Sequence, residues 1–215
     1  IAHEIRNPVV SIKTFVQLLP NHYQEPAFRE KFFRLIGDEV GRIDRLTEQL
    51  LDLSAPRVFA SKEIDVHLLL RACIDLLAAK AEDKGVRLLT DFGVEMGDVF
   101  TDPNAVKQVM LNLGFNAIQA LERHPGERWL RFITRKVAAS VEIAVEDSGP
   151  GLAPEVWARL FQPFQSTKSS GFGLGLAICK DILSSLQASI TADPPENGKG
   201  ATFRIVLPCP PPPSS

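Results

Sequence analysis

Residues 166–178 read STKSSGFGLGLAI. Gly171, Gly173 and Gly175 alternate just ahead of an apolar helical pattern, an arrangement that lets backbone amides approach an anion at the positive end of a helix. Dinucleotide-binding folds use similar glycines, but there they directly follow a strand and an acidic residue lies ~20 residues on. Here a Ser/Lys-rich loop precedes them, so a dinucleotide fold is disfavoured. Lys168 adds a cation just upstream, and the helix is expected to begin near Leu174. Together these residues make a cradle suited to a triphosphate.

Upstream, Val141, Ile143 and Val145 alternate with Glu142 and Glu146, which predicts a half-buried strand over Val141–Asp147. DSGPG then spans Asp147–Gly151. Gly149 and Gly151 clear space beside Asp147, whose carboxylate can accept a hydrogen bond from an exocyclic amine such as that of adenine. Asp-Ser-Gly is also ordinary turn chemistry, so both readings stand on these residues alone. Within LNLGFNAIQA, Asn112 and Asn116 are four apart and share one helical face. Buried amides are costly unless satisfied. Ligation of a hard, phosphate-bound Mg²⁺ would satisfy them; a helix cap or a core hydrogen bond is the alternative for either alone.

Around these motifs the periodicity predicts helices over Asp65–Glu82, Pro103–Glu122 and Leu174–Leu186. Strands are expected at Val86–Phe92, Val99–Phe100, Trp129–Lys136, Val141–Asp147, Ser189–Thr191 and Ala201–Leu207. Mixed elements with hairpin-like adjacency indicate an α+β two-layer sandwich. The tail PCPPPPSS is Pro-rich and expected to be unstructured.

The first sixty residues follow a different pattern. Ile5, Val9, Ile12, Val16 and Leu19 form one apolar stripe, and Ile36, Val40, Ile43, Leu46, Leu50 and Leu53 form another. PNHYQEP, bounded by Pro20 and Pro26, reads as the turn between them, which gives an antiparallel helical hairpin. Pro8 is expected to bend the first helix just after His3. Such a hairpin has a thin core, so it is expected to pair with a second copy as a four-helix bundle rather than pack on its own chain. The expected division is a helical hairpin at 1–56, a linker at 57–63, a nucleotide-binding unit at 64–208 and a tail at 209–215.

Composition narrows the function classes. Lys+Arg 24 against Asp+Glu 26, a net charge of -2, and no basic block give no footprint for nucleic acid. Three cysteines far apart suggest neither a disulfide framework nor a zinc site. No apolar run approaches the ~20 residues of a membrane helix. The chain starts inside a helical pattern without an initiator Met, as expected of a portion of a longer protein. That portion is expected to be cytoplasmic, with any membrane attachment through upstream segments.

Taken in order, HEIRNP (His3–Pro8), NLGFNA (Asn112–Ala117), DSGPG, FQPF (Phe161–Phe164) and GFGLGLAI (Gly171–Ile178) resemble the H, N, first glycine, F and second glycine boxes of bacterial sensor histidine kinases. Five motifs in order cover nearly the whole chain. The resemblance implies a dimerisation and histidine-phosphotransfer hairpin followed by an ATP-binding α/β sandwich of the gyrase, Hsp90, histidine kinase and MutL type. It implies His3 as phosphoacceptor, Glu4 as neighbouring acid or base, Asn116 as Mg²⁺ ligand and Asn112 close to the phosphates. It further implies Asp147 as the adenine-recognising residue, Gly149 and Gly151 shaping its loop, and Lys168, Gly171, Gly173, Leu174 and Gly175 in an ATP lid anchored by Phe161 and Phe164. The short lid, HEIRNP and STK are similar to the nitrogen-regulation type. Phe172 departs from the small hydroxyl residue common between the lid glycines, and Gln165, Ser166 and Ala201 also depart from the usual pattern.

The expected chemistry is phosphoryl transfer from ATP to His3 and then to an aspartate of a response-regulator receiver domain. It is carried by a homodimer with ATP and Mg²⁺ as cofactors and without nucleic acid. An exposed imidazole with an ordinary pKa near ~6.5 is mostly neutral at cytosolic pH and can act as nucleophile. Asn7, one turn beyond His3, is placed to position a water for dephosphorylating the partner. The competing readings are a gyrase-, Hsp90- or MutL-like clamp ATPase in which His3 is inert, and a nucleotide-binding dimeric scaffold.

Overall fold

The computed structural model describes residues 2–54, 58–93, 98–164, 173–193 and 200–209, with backbone alone at 2–5, 45, 48–50 and 52–54. The chain forms two compact units: 1–56 with 166–174, and 57–165 with 175–215.

The first unit is a helical hairpin of α1 (Ala2–His22) and α2 (Pro26–Ser54). Its seam is mostly half-buried, with Ile12, Phe15 and Leu19 on α1 and Phe28, Phe32, Ile36 and Ile43 on α2, while Leu46 further along α2 is buried. Phe15 stacks on Phe28 with ring centroids 6.1 Å apart. The turn is shorter than the two prolines suggest, because Pro20 lies inside α1 and only Tyr23–Glu25 connect the helices. Packing carries α1 past the proline. His22, in the final turn, sits 5.3 Å from the Phe28 ring and its Nδ1 is 2.8 Å from Glu25 Oε1. Pro26 opens α2 where a missing N–H costs nothing. Large apolar side chains remain outside the seam, among them Val10, Val16, Phe33 and Val40; Phe33 is 71% exposed.

The second unit is a two-layer sandwich. Its five-stranded sheet runs in the order β2-β4-β5-β7-β6, from β2 (Arg87–Phe92), β4 (Trp129–Val137), β5 (Ser140–Asp147), β6 (Ser189–Asp193) and β7 (Ala201–Pro208). The β2–β4 pair is parallel and the other three are antiparallel. Helices α3 (Val66–Asp83), α4 (Pro103–Leu121) and α6 (Gly175–Ser185) cover one face, with α4 between the other two. Alternation along β7 is strict, and Phe203, Ile205 and Leu207 enter the core with Phe132, Ile143, Met110, Leu113 and Ile182. Two thiols, Cys73 and Cys179, are fully buried there. Burial pushes the Cys73 thiol up to about 11, against a smaller opposing influence of Lys107.

The caps explain where the helices start. Asp65 accepts from the amides of His67 (2.7 Å) and Leu68 (3.1 Å), and Asp102 accepts from those of Asn104 (2.8 Å) and Ala105 (3.0 Å). Pro103 follows at the first helical position. A side chain at Gly114 would overlap Leu77, so this glycine allows α3 and α4 to approach closely.

Two elements have no sequence expectation. Strand β1 (Lys62–Ile64), which includes the last two positions read as linker, pairs antiparallel with β3 (Val99–Thr101). A single turn, α5 (Pro154–Trp157), is held by the Trp157 Nε1–H bond to the Leu152 carbonyl at 3.0 Å. The uncovered sheet face carries charge pairs: Arg204 bonds Asp193 and Glu142, and Arg131 meets Glu146 at 3.6 Å.

Candidate nucleotide site

Helix α4 supplies the wall of the site. Asn112, Asn116 and Ala120 recur every fourth residue and therefore line one face, over about 12 Å of helix axis at 1.5 Å per residue. Each end of that face meets a different neighbour.

At the Ala120 end stands Asp147, the last residue of β5. Its Oδ1 accepts the Gly149 amide at 2.8 Å. A Cβ at Gly149 would lie 2.6 Å from that oxygen and 3.7 Å from Ala120 Cβ, so a glycine at 149 is what lets this turn pass between the carboxylate and α4 without a clash. Ser148 fixes the turn: its Oγ accepts the Trp129 amide (2.9 Å) and donates to the Glu127 carbonyl (2.7 Å). Gly200, at φ 83°, donates its amide to the Gly149 carbonyl at 2.7 Å. Any side chain there would overlap the Asp147 carbonyl.

At the Asn112 end lies the start of α6. A Cβ at Gly175 would sit 3.7 Å from Asn116 Nδ2 and 3.9 Å from Asn112 Oδ1. Both amides and a helix N-terminus thus border one space, kept open by a glycine. Gly173 (φ 67°) and Gly151 (φ 73°) adopt the left-handed conformation that glycine tolerates, and Leu174 is fully buried. Phe161 lies under the Lys180 ammonium at 5.9 Å.

The wall therefore offers a hydrogen-bond acceptor at one end, and the side-chain amides of Asn112 and Asn116 with a helix N-terminus at the other. This suits a ligand with a donor-bearing ring at one end and anionic groups at the other. Among the described residues no group of three or more His, Cys, Asp or Glu could hold a metal ion. The amide oxygens of Asn112 and Asn116 suit a hard cation that obtains its remaining ligands from phosphate oxygens.

Two family matches coincide with the two units. Residues 1–57 match the His Kinase A (phospho-acceptor) domain, and residues 101–211 match the histidine kinase-, DNA gyrase B- and HSP90-like ATPase family. The chain belongs to the sensor histidine kinases. It is 31% identical over 208 residues to the sensor histidine kinase ZraS of Escherichia coli, covering 97% of this chain and 44% of ZraS. It is 34% identical over 209 residues to sporulation kinase C of Bacillus subtilis, covering 97% of this chain and 47% of that kinase. The chain thus spans less than half the length of these two curated relatives. Among solved structures it resembles the histidine kinase ThkA, solved in complex with the response regulator TrrA, with a TM-score of 0.83 and 27% identity over 99% of this chain and 61% of that one.

Within this histidine kinase portion, the structure gathers Asn112, Asn116 and Gly175 at one end of the wall, and Asp147 and Gly149 at the other. His3 and Glu4 lie in the first turns of α1, and Asn7 is exposed one turn further on. Lys168 and Gly171 lie outside the described residues. Sequence reasoning gave no role to Ser148 or Ala120, and read Gly200 only as the glycine of a third, weaker glycine box in NGKGATF, where Ala201 departs from the usual pattern. For Gly200 the signal was a glycine directly ahead of an alternating strand; for Ala120 it was the four-residue spacing from Asn116.

Proposed function

We propose that this chain transfers the γ-phosphoryl group of ATP to His3 and then passes it to an aspartate of a response-regulator receiver domain. The carrying observation is the α4 wall, with Asp147 at one end and Asn112, Asn116 and Gly175 at the other. It stands in a chain whose N-terminal segment matches a phospho-acceptor domain. Asp147 accepts a hydrogen bond from the adenine amine, and the α6 amides meet the phosphates, with Lys168 contributing charge. Asn116, with Asn112 close by, would hold Mg²⁺, which would supply charge neutralisation for the phosphates.

In the transfer, a neutral ring nitrogen of His3 forms a bond to phosphorus as the bond to the ADP oxygen breaks. The proton on the other ring nitrogen passes to Glu4, leaving a phosphoramidate. A carboxylate oxygen of the receiver aspartate then bonds to phosphorus as the phosphorus–nitrogen bond breaks, and the proton returns from Glu4 to regenerate the neutral imidazole. Asn7 positions a water for the reverse regulation, hydrolysis of the receiver's acyl phosphate. Support for the receiver partner comes from ThkA, which was solved with a response regulator. Support for a homodimer comes from the apolar side chains that the hairpin leaves outside its seam. The nitrogen-regulation subtype rests on HEIRNP, STK and the short lid.

Incubation with γ-labelled ATP is expected to place acid-labile, base-stable label on the chain, lost in His3→Gln. Asn116→Asp and Asp147→Asn are expected to lose the label while remaining dimeric by light scattering. Phosphate release without protein label would instead establish the clamp ATPase.

A further inference from the structure

The turn that carries Asp147 is fastened to the start of β4 by one hydroxyl. Ser148 Oγ accepts the Trp129 amide at 2.9 Å and donates to the Glu127 carbonyl at 2.7 Å, partners 19 and 21 residues earlier in the chain. The Ser148 amide adds a bond to the Trp129 carbonyl at 3.1 Å. The next amide, that of Gly149, is the one that Asp147 Oδ1 accepts at 2.8 Å, and it belongs to the peptide bond between Ser148 and Gly149. On the far side of that peptide the Gly149 carbonyl accepts the Gly200 amide at 2.7 Å. The amide that aims the carboxylate is therefore held from two directions, by the Ser148 hydroxyl and by Gly200. A hydroxyl donates and accepts at once, which is what the Trp129 amide and the Glu127 carbonyl together require; an alanine can do neither.

We propose that Ser148 is a positioning residue for base recognition: by tying the Asp147 turn to the start of β4, its hydroxyl sets the aim of the carboxylate and so how strongly this site prefers a purine that bears an exocyclic amine. This rests on the reading above in which Asp147 accepts from the adenine amine. Hydrogen bonds weaken steeply as their angle departs from linear, so a shifted turn costs the amine-bearing ligand its bond. The amides of Asn112 and Asn116 and the start of α6 stand at the other end of the wall and share none of the Ser148 contacts. A nucleotide without the amine has no such bond to lose.

Calorimetric titration of the full chain with ATP and with purine riboside triphosphate, which lacks only the 6-amino group, isolates this effect. The unaltered chain is expected to prefer ATP by at least roughly ten-fold, the size of a hydrogen bond to a charged acceptor. Ser148→Ala is expected to weaken ATP binding by roughly five-fold and to leave purine riboside triphosphate unchanged, so that the preference shrinks. Ser148→Thr, which keeps the hydroxyl, is expected to retain the preference. In an Asp147→Ala background, Ser148→Ala is expected to change neither affinity, because the carboxylate through which it acts is gone. A merely structural role would lower the melting temperature and weaken both nucleotides alike. An unchanged preference in Ser148→Ala, a preference lost in Ser148→Thr, or a further selective loss of ATP in the Asp147→Ala background would overturn the proposal while leaving the adenine reading in place. An unaltered chain with no preference for ATP would overturn that reading and the proposal with it.

Discussion

The hairpin and the sandwich solve the burial problem differently. In the sandwich, α4 is enclosed by α3, α6 and the sheet, and side chains such as Phe132, Met110 and Ile205 are fully buried. In the hairpin most of the described seam is half-buried, with Leu46 the buried exception, and Phe33 and Val40 are exposed. One unit encloses its core, while the other leaves large apolar side chains exposed. The enclosed unit holds a rigid site whose geometry tolerates little change; the other is suited to docking partners along its length.

The contrast is tested most forcefully at the core. Phe132→Ala is expected to cost about 3–5 kcal/mol of stability in the sandwich, while Phe33→Ala, at an exposed position, is expected to leave the fold intact but weaken self-association. Chemical denaturation read beside light scattering separates the two. If Phe33→Ala leaves the oligomeric state unchanged, the outward apolar face has another purpose.

A more local test concerns the site. Gly200→Val forces a β-branched residue into a left-handed conformation against the Asp147 carbonyl, which costs about 1–2 kcal/mol in backbone strain alone. Nucleotide binding is expected to fall by at least ten-fold as the Asp147 turn is displaced, with the hairpin's self-association unchanged. Titration with a fluorescent nucleotide analogue provides the measurement.

The smallest effect is one of pH. Burial opposes the charge of Asp102, but the Ala105, Ala60 and Asn104 amides and the Lys62 charge outweigh it and depress the folded-state pKa. The stability it contributes is present above the ordinary carboxylate value near ~3.9 and is lost as pH falls from there toward the folded pKa. The sandwich is therefore expected to lose stability on its acid limb, and Asp102→Asn to flatten that limb; thermal melts between neutral and acidic pH report both. The hairpin lacks this group and its contribution to the acid limb.

Much of this was legible in the sequence, for identifiable reasons. The 3.6-residue stripe and the Asp102–Pro103 start announce α4, alternation announces β5, and the two asparagines share a face by arithmetic alone. Local rules failed where distant partners decide. Pro20 reads as a breaker, yet aromatic packing onto Phe28 holds the helix through it. Lys62–Ile64 carries no strand signal of its own and becomes one because β3 supplies its partner. The bond from the Ala60 amide to the second oxygen of Asp102 and the close approach of Gly200 depend on contacts across long stretches of chain, which no periodicity encodes.

The buried thiols have a chemical consequence of their own. The reactive form of cysteine is the thiolate, and Cys73, with its pKa pushed up to about 11, is almost wholly protonated at neutral pH; both it and Cys179 are out of reach of solvent. Oxidants and electrophiles can therefore reach the sandwich core only through its opening, so modification at these two sulfurs dates the moments when the fold comes apart.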